Sequence, residues 1–182
     1  MDPSLTDALC TRCGLCCDGS LFADVELAGR SETAGLEILG LEVEDDDGVG
    51  LLVQPCRALQ GRRCGIYAHR PACCRTFECG LLQDARSGAI SVERAQKHIA
   101  ETIRAVRSVK ELLVLLGRFD RNLPLRECGA EALAVDPARH PAVRRRQVRL
   151  GTAIERVEHL IRDRFLKRGT AGRDVVKTRD PS

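Results

Sequence analysis

The amino-acid sequence predicts an α+β protein, and three observations lead there. Short strand-like apolar stretches lie in the first half, one alternating at period two over residues 21–27 and one continuous over 49–53. From Ser91 onward apolar residues recur at every third or fourth position, the period of a helix. Thiols crowd the first half: nine of the ten cysteines fall between Cys10 and Cys79. The expected arrangement is a small irregular cysteine-cluster domain with short strands over residues 1–90, held by metal. A helical hairpin over 91–168 and a flexible tail over 169–182 follow it. With no Trp, one Tyr and four Phe, the core has to be aliphatic. A chain of 182 residues allows one ordinary domain, or a small one with an appendage.

Taken in order, Leu21, Ala23, Val25 and Leu27 share one face of a short half-buried strand. Ser31 is expected to cap a short helix that runs to Leu39 and is weakened by Gly35. Glu44 to Gly48 reads as a solvated acidic turn, since its three adjacent aspartates lack the spacing and closing Glu of a calcium loop. Val49 to Val53 is a second strand leading toward Cys56. Gly61 to Arg63 is a hairpin turn that returns Cys64 toward the first thiols. Pro71 keeps Arg70 out of the helical region and bends the chain, which brings Cys74 and Cys79 back. An amphipathic helix then carries Val92, Ala95, Ile99, Ile103, Val106, Val109, Leu113 and Leu116, with Gly117 as its stop. Residues 118–137 are a connector containing Pro124, Cys128, Gly129 and Pro137. A second helix carries Val143, Leu150, Ile154, Val157 and Ile161 and pairs with the first in antiparallel fashion.

The stretch Cys10-Thr-Arg-Cys13-Gly-Leu-Cys16-Cys17 holds four thiols spaced C-x2-C-x2-C-C. A C-x2-C pair sets two sulfurs on one small turn, where both can reach a single ion at about 2.3 Å. Adjacent Cys16 and Cys17 send their side chains in different directions, so two metals or one polynuclear cluster suit the stretch better than a single mononuclear site. The alternative is buried or disulfide-bonded cysteine. No apolar signal segment is visible at the start, and the longest aliphatic run, Leu112 to Leu116, is too short to span a bilayer. A reducing cytoplasm is therefore expected, where clustered thiols serve as ligands.

Further along, Pro55-Cys56-x7-Cys64-Gly-Ile-Tyr67-x2-Arg70-Pro71-x2-Cys74-Arg75-x-Phe77-x-Cys79 completes a two-part pattern. The whole resembles the CxxCxxCC cysteine-cluster family of YkgJ-type, zinc- or iron-chelating domains. The resemblance covers residues 10–80 and extends more loosely to about residue 115. It implies metal chelation by Cys10, Cys13, Cys16, Cys17, Cys56, Cys64, Cys74 and Cys79, and no common activity. Cys73 and Cys128 fall outside the pattern and are expected to be bystanders. Flagellin lysine methylases carry a related cysteine cluster, and by that resemblance an iron–sulfur enzyme is a second reading.

His69, His98, His140 and His159 do not sit at ligand spacing. An all-thiolate set selects zinc, iron in an Fe–S cluster, or Cu(I). Eight sulfurs suit two closed four-thiolate zinc sites, structural and not catalytic. Arg12, Arg62, Arg63, Arg70 and Arg75 lie near the ligands and can offset their charge, and guanidinium N–H groups can donate to sulfur. Ferredoxin-type spacing fails, because its fourth cysteine would fall at Ser20. No nucleotide-binding glycine loop is present, Gly48-x-Gly50 being isolated, and no catalytic residue is assigned.

Charge is uneven along the chain. Residues 1–50 hold twelve acids and two bases, whereas residues 138–182 hold thirteen bases and five acids. The acidic end offers the basic one an internal counter-surface. The reading that results is a metal-chelating, non-enzymatic protein with a structural or interaction role. Its partners are the metal ion and, through the helices, another protein or a second copy. The alternatives are an Fe–S-dependent redox or modifying enzyme and a zinc-dependent nucleic-acid binder using Arg144, Arg145, Arg146 and Arg149. Aromatics to stack bases are lacking, so neither nucleic acid nor membrane is expected as the main partner.

Overall fold

A computed structural model describes residues 3–136 and 140–166, and the expected tail at 169–182 lies outside these. Helices predominate, with two small antiparallel sheets among them, so the fold is α+β as expected.

The helical core is organised by two long helices, α5 (Val92–Leu115) and α7 (Pro141–Arg164). In α5 the Ser91 hydroxyl accepts from the Arg94 N–H at 3.2 Å, which satisfies one donor of the first turn. Gly117, at φ 66°, ends that helix in the left-handed conformation that glycine adopts most readily. The two helices pair in antiparallel fashion: Arg146 Nη1 reaches the Leu115 carbonyl at 3.2 Å and Arg164 Nη1 reaches Glu101 at 2.8 Å. Ala95, Val109, Leu113 and Leu150 are fully buried between them. Each such Val or Leu side chain contributes about 1.5–3 kcal/mol relative to exposure. The ion pairs of α7 with Arg156 and Arg164 go to Glu101 of α5, and not to the acidic first fifty residues as the charge distribution suggested.

The structure adds four helices that the sequence reading lacked. The supposed connector contains α6 (Leu125–Ala134), capped by Pro124, which buries Leu125, Cys128 and Ala132 on one face. Gly129 lets α6 approach α7, for a Cβ there would stand 2.8 Å from Ile154 Cδ1. The first two thiols lie on α1 (Pro3–Cys13), which packs on α5. Short α3 (Ala72–Thr76) and α4 (Gly80–Arg86) follow the proline bend, with Leu81 and Leu82 of α4 joining the same core.

The sheet half is smaller. Three strands, β1 (Asp24–Glu26), β2 (Val43–Asp46) and β3 (Val49–Val53), lie in the order β1-β3-β2, with Leu52 opposite both Val25 and Val43. The acidic run expected to be turn is mostly strand, because only Asp47 and Gly48 turn the chain, at φ 52° and 84°. Its charges occupy an edge strand, where they discourage pairing with another chain. Helix α2 (Arg30–Ile38) starts after Gly29, and Ser31 is not its cap. The Gly29 carbonyl accepts from the Glu32 and Thr33 N–H groups, and the Glu32 carboxylate accepts from the Ala28 N–H at 2.8 Å and the Ala72 N–H at 2.6 Å, tying α2 to the start of α3. A two-stranded hairpin, β4 (Leu59–Gln60) and β5 (Arg63–Cys64), forms where the Gly61 turn was expected. Five residues make this half's own core: Leu27, Leu36, Leu41, Leu52 and Ala58. No described helix is long and apolar enough to cross a membrane.

Candidate metal centre

Cys10 and Cys13 sit on the last turns of α1, one turn apart on the helix. Gly14, at φ 74°, ends the helix, and its carbonyl accepts from the Cys17 N–H at 3.0 Å and the Asp18 N–H at 3.1 Å. This turn carries Cys16 and Cys17. A side chain at Gly14 would crowd Arg62, since its Cβ would stand 3.3 Å from the Arg62 Cα. Arg62 itself donates to the Arg12 carbonyl at 3.2 Å, pinning the hairpin to the end of α1. Asp18 continues the loop with an ion pair to Lys110 of α5 at 3.2 Å.

The later thiols are returned by specific backbone contacts. Buried Gln54 donates its N–H to the Ala23 carbonyl and accepts from the Cys56 N–H at 3.1 Å. The Cys56 N–H also reaches the Cys17 carbonyl at 2.9 Å. Leu59, whose N–H donates to the Cys56 carbonyl, faces Cys64 across the hairpin. Arg70 is extended before Pro71, as its neighbour requires, and the bend opens α3 with Cys73 and Cys74. Cys79 caps α4, where the Gly80 N–H donates to the Phe165 carbonyl at 2.9 Å.

The result is one cavity of about 1470 Å³ lined by Cys10, Cys13, Cys16, Cys17, Cys56, Cys64, Cys74 and Cys79, with Cys73 beside them. Phe22 meets Phe77 edge to face at 5.2 Å on its wall, and the Arg70 guanidinium lies 3.8 Å over the Tyr67 ring. No histidine is among the lining residues. Cys128 stands apart, buried in the helical core with its thiol donating to the Asp120 carbonyl at 3.4 Å.

The thiols influence one another in two neighbourhoods. Burial pushes Cys10 up to about 11, and Cys79 adds to the shift. Burial pushes Cys13 up to about 12, with Cys79 and Cys10 adding. Cys16 is raised well above its ordinary value by burial and then by Cys79, Cys13, Cys17 and Cys10. Burial also raises Cys17 to about 12, but here Cys56 and Cys64 add. Cys56 is raised by burial, with Cys64 adding. The Cys74 thiol donates to Cys73, which raises Cys74 and lowers Cys73; Cys17 and Cys56 raise Cys74 further. Arg70 opposes the rise at Cys10 and again at Cys17, so its charge reaches both neighbourhoods.

Among the described residues no three Cys, His, Asp or Glu side chains stand around one point in position to hold an ion. The structure therefore gives neighbourhoods of thiols and not a finished coordination sphere. The donor chemistry nonetheless fits zinc or iron. Soft thiol donors line one partly open cavity, and both burial and like charge there disfavour bare thiolates. A cation that replaces the thiol protons would offset both penalties. Glu32 and Phe165, which help position these thiols, carried no sequence signal, because each acts on backbone atoms of a segment distant in the chain.

A family model, CxxCxxCC, described as "Putative zinc- or iron-chelating domain", matches residues 9–101, just over half of the chain. No curated protein and no solved structure matches it.

Proposed function

From membership of the CxxCxxCC family, to which this chain belongs, we propose that it is a thiolate chelator of zinc or iron with a structural or interaction role and no catalysis of its own. The observation that carries this is the gathering of all eight motif cysteines on one cavity without a histidine. Cys10, Cys13, Cys16, Cys17, Cys56, Cys64, Cys74 and Cys79 are the ligands. When bound, the ion supplies cross-links between segments, and a four-thiolate sphere is closed to substrate. Arg70, held over Tyr67 and donating through Nε to the Tyr67 carbonyl at 3.2 Å, offsets the charge of the thiolates. The helices present the interaction side, toward a protein partner or a second copy. All ten cysteines are free thiols here, the state a reducing compartment such as the cytoplasm maintains.

Elemental analysis with an absorption spectrum of anaerobically purified protein tests the reading. A colourless protein with stoichiometric zinc, or iron released without sulfide, supports it. Brown protein carrying iron and sulfide would replace it with the redox-enzyme reading, and metal-free protein that takes up neither ion after reduction would overturn chelation altogether.

A further inference from the structure

We propose that the eight thiols form two separate four-thiolate centres, Cys10, Cys13, Cys16 and Cys79 in one and Cys17, Cys56, Cys64 and Cys74 in the other, each taking one thiophilic divalent cation. This rests on the chelation reading and goes beyond it, since nothing in the family description divides the thiols.

Packing divides them first. Cys10, Cys13 and Cys79 pack against the helical core, whereas Cys56 and Cys64 pack against the five-residue core of the sheet half. Backbone contacts divide them the same way. Cys79 opens α4, which packs on α1 and so returns to Cys10 and Cys13. The Cys56 N–H is bonded to the Cys17 carbonyl, and Cys56 is tied through Leu59 to Cys64. The two remaining thiols follow from the chain. Cys16 and Cys17, as adjacent residues, send their side chains apart, which leaves Cys16 to the first set. Cys74 stands on α3, which is tied to the sheet half by the Ala72 N–H donating to Glu32 of α2 and by Cys73 against the sheet core.

The dipeptide Cys16-Cys17 is then the seam, one residue facing each centre. No thiolate bridges two ions, which separates this arrangement from a polynuclear cluster. Each ion displaces the four protons of its thiols and leaves a centre of net charge 2−. Arg70, on the wall of the cavity that all eight thiols line, lies where it can offset both.

The centres also differ in build. Three ligands of the first, Cys10, Cys13 and Cys79, ride on or cap helices packed into the large core. Those of the second lie in loops, on the two-residue strand β5 and on the five-residue helix α3. The second centre therefore releases its ion first.

Loading the full reduced chain with cadmium-113 alone and recording proton–cadmium correlations tests this without any variant. Two cadmium resonances are expected, one correlated with the β-protons of Cys10, Cys13, Cys16 and Cys79 and the other with those of Cys17, Cys56, Cys64 and Cys74. Under a competing chelator the second should fade first. A cysteine correlated with both ions, a ligand drawn from the other set, or Cys73 in place of Cys74 would overturn the assignment while leaving chelation intact. Faster loss from the first centre would overturn the difference in build. Failure to bind cadmium would overturn chelation and this inference together. As a second measurement, Cys79→Ser and Cys64→Ser should each retain one equivalent of cadmium. Loss of both equivalents from both variants, in chains that keep the α5–α7 helical signal, would mean a single cluster and would also overturn the proposal.

Discussion

The helical half and the sheet half of this chain bury their apolar residues on very different scales. Around α5 and α7 a continuous aliphatic core draws on five helices, with Ala95, Val109, Leu113 and Leu150 wholly enclosed. The sheet half has five buried core residues and strands of two to five residues. Short strands over so small a core are marginal on their own. The first region can be stable by burial alone, while the second needs covalent or coordinate cross-links. The thiols of the first set stand on the stable region and those of the second set in the marginal one. Every prediction below either breaks that contrast or sharpens it.

The largest effect is expected from metal removal. Structural zinc contributes roughly 10–16 kcal/mol of apparent binding free energy, comparable to a small domain's whole stability. Chelation should therefore abolish amide protection in β1–β5 and α3 and leave α5 and α7 protected. Hydrogen exchange before and after verified metal removal decides this, and unchanged protection in β3 would end the contrast.

Leu113→Ala probes the other side. The residue is fully buried between the long helices, so the change should cost about 2–5 kcal/mol by denaturant titration. Metal content measured well below the new melting point should stay at the wild-type value. Gly19→Ala sits where the halves touch. Gly19 has φ 74°, and a Cβ there would stand 3.0 Å from Pro55 Cγ and 3.1 Å from the Pro124 Cα. The left-handed backbone alone costs about 1–2 kcal/mol, and the displaced neighbours add to it.

A pH titration separates metal-free from metal-loaded protein. Cys10, Cys13 and Cys17 are raised in the folded metal-free chain to about 11, 12 and 12 from 9.0. A raised folded value means that the stability linked to these thiols is fully present below pH 9 and is lost as pH climbs toward 11–12. The loaded protein should behave oppositely, weakening as acid returns protons to the ligands. Melting temperature against pH for both forms gives the two slopes. The smallest effects belong to the spare thiols: Cys73→Ser and Cys128→Ser should retain the full metal content by elemental analysis.

Legibility followed the range over which each signal acts. The period of α5 and its Gly117 stop were readable because they depend on residues within one or two turns. The C-x2-C-x2-C-C run was readable for the same reason, although its helical support in α1 was not. The weak amphipathicity of residues 3–13 hides a helix that the packing against α5 stabilises. Helix α6 was missed because Pro124 and Gly129 read as breakers. Here the first is an N-cap and the second a point of close approach to Ile154. The division of thiols was illegible, since it depends on which core each segment joins.

The hydrogen bond from the Gly80 N–H to the Phe165 carbonyl has a consequence in time. Cys79 is made long before Phe165, and at roughly 5–20 residues per second the interval lasts on the order of several seconds. Throughout it all eight motif cysteines already exist in the nascent chain while the closing helix does not. The first neighbourhood is thus completed last, by the C-terminal end of α7. Any agent that shields or delivers ions to these thiols has its opportunity during synthesis.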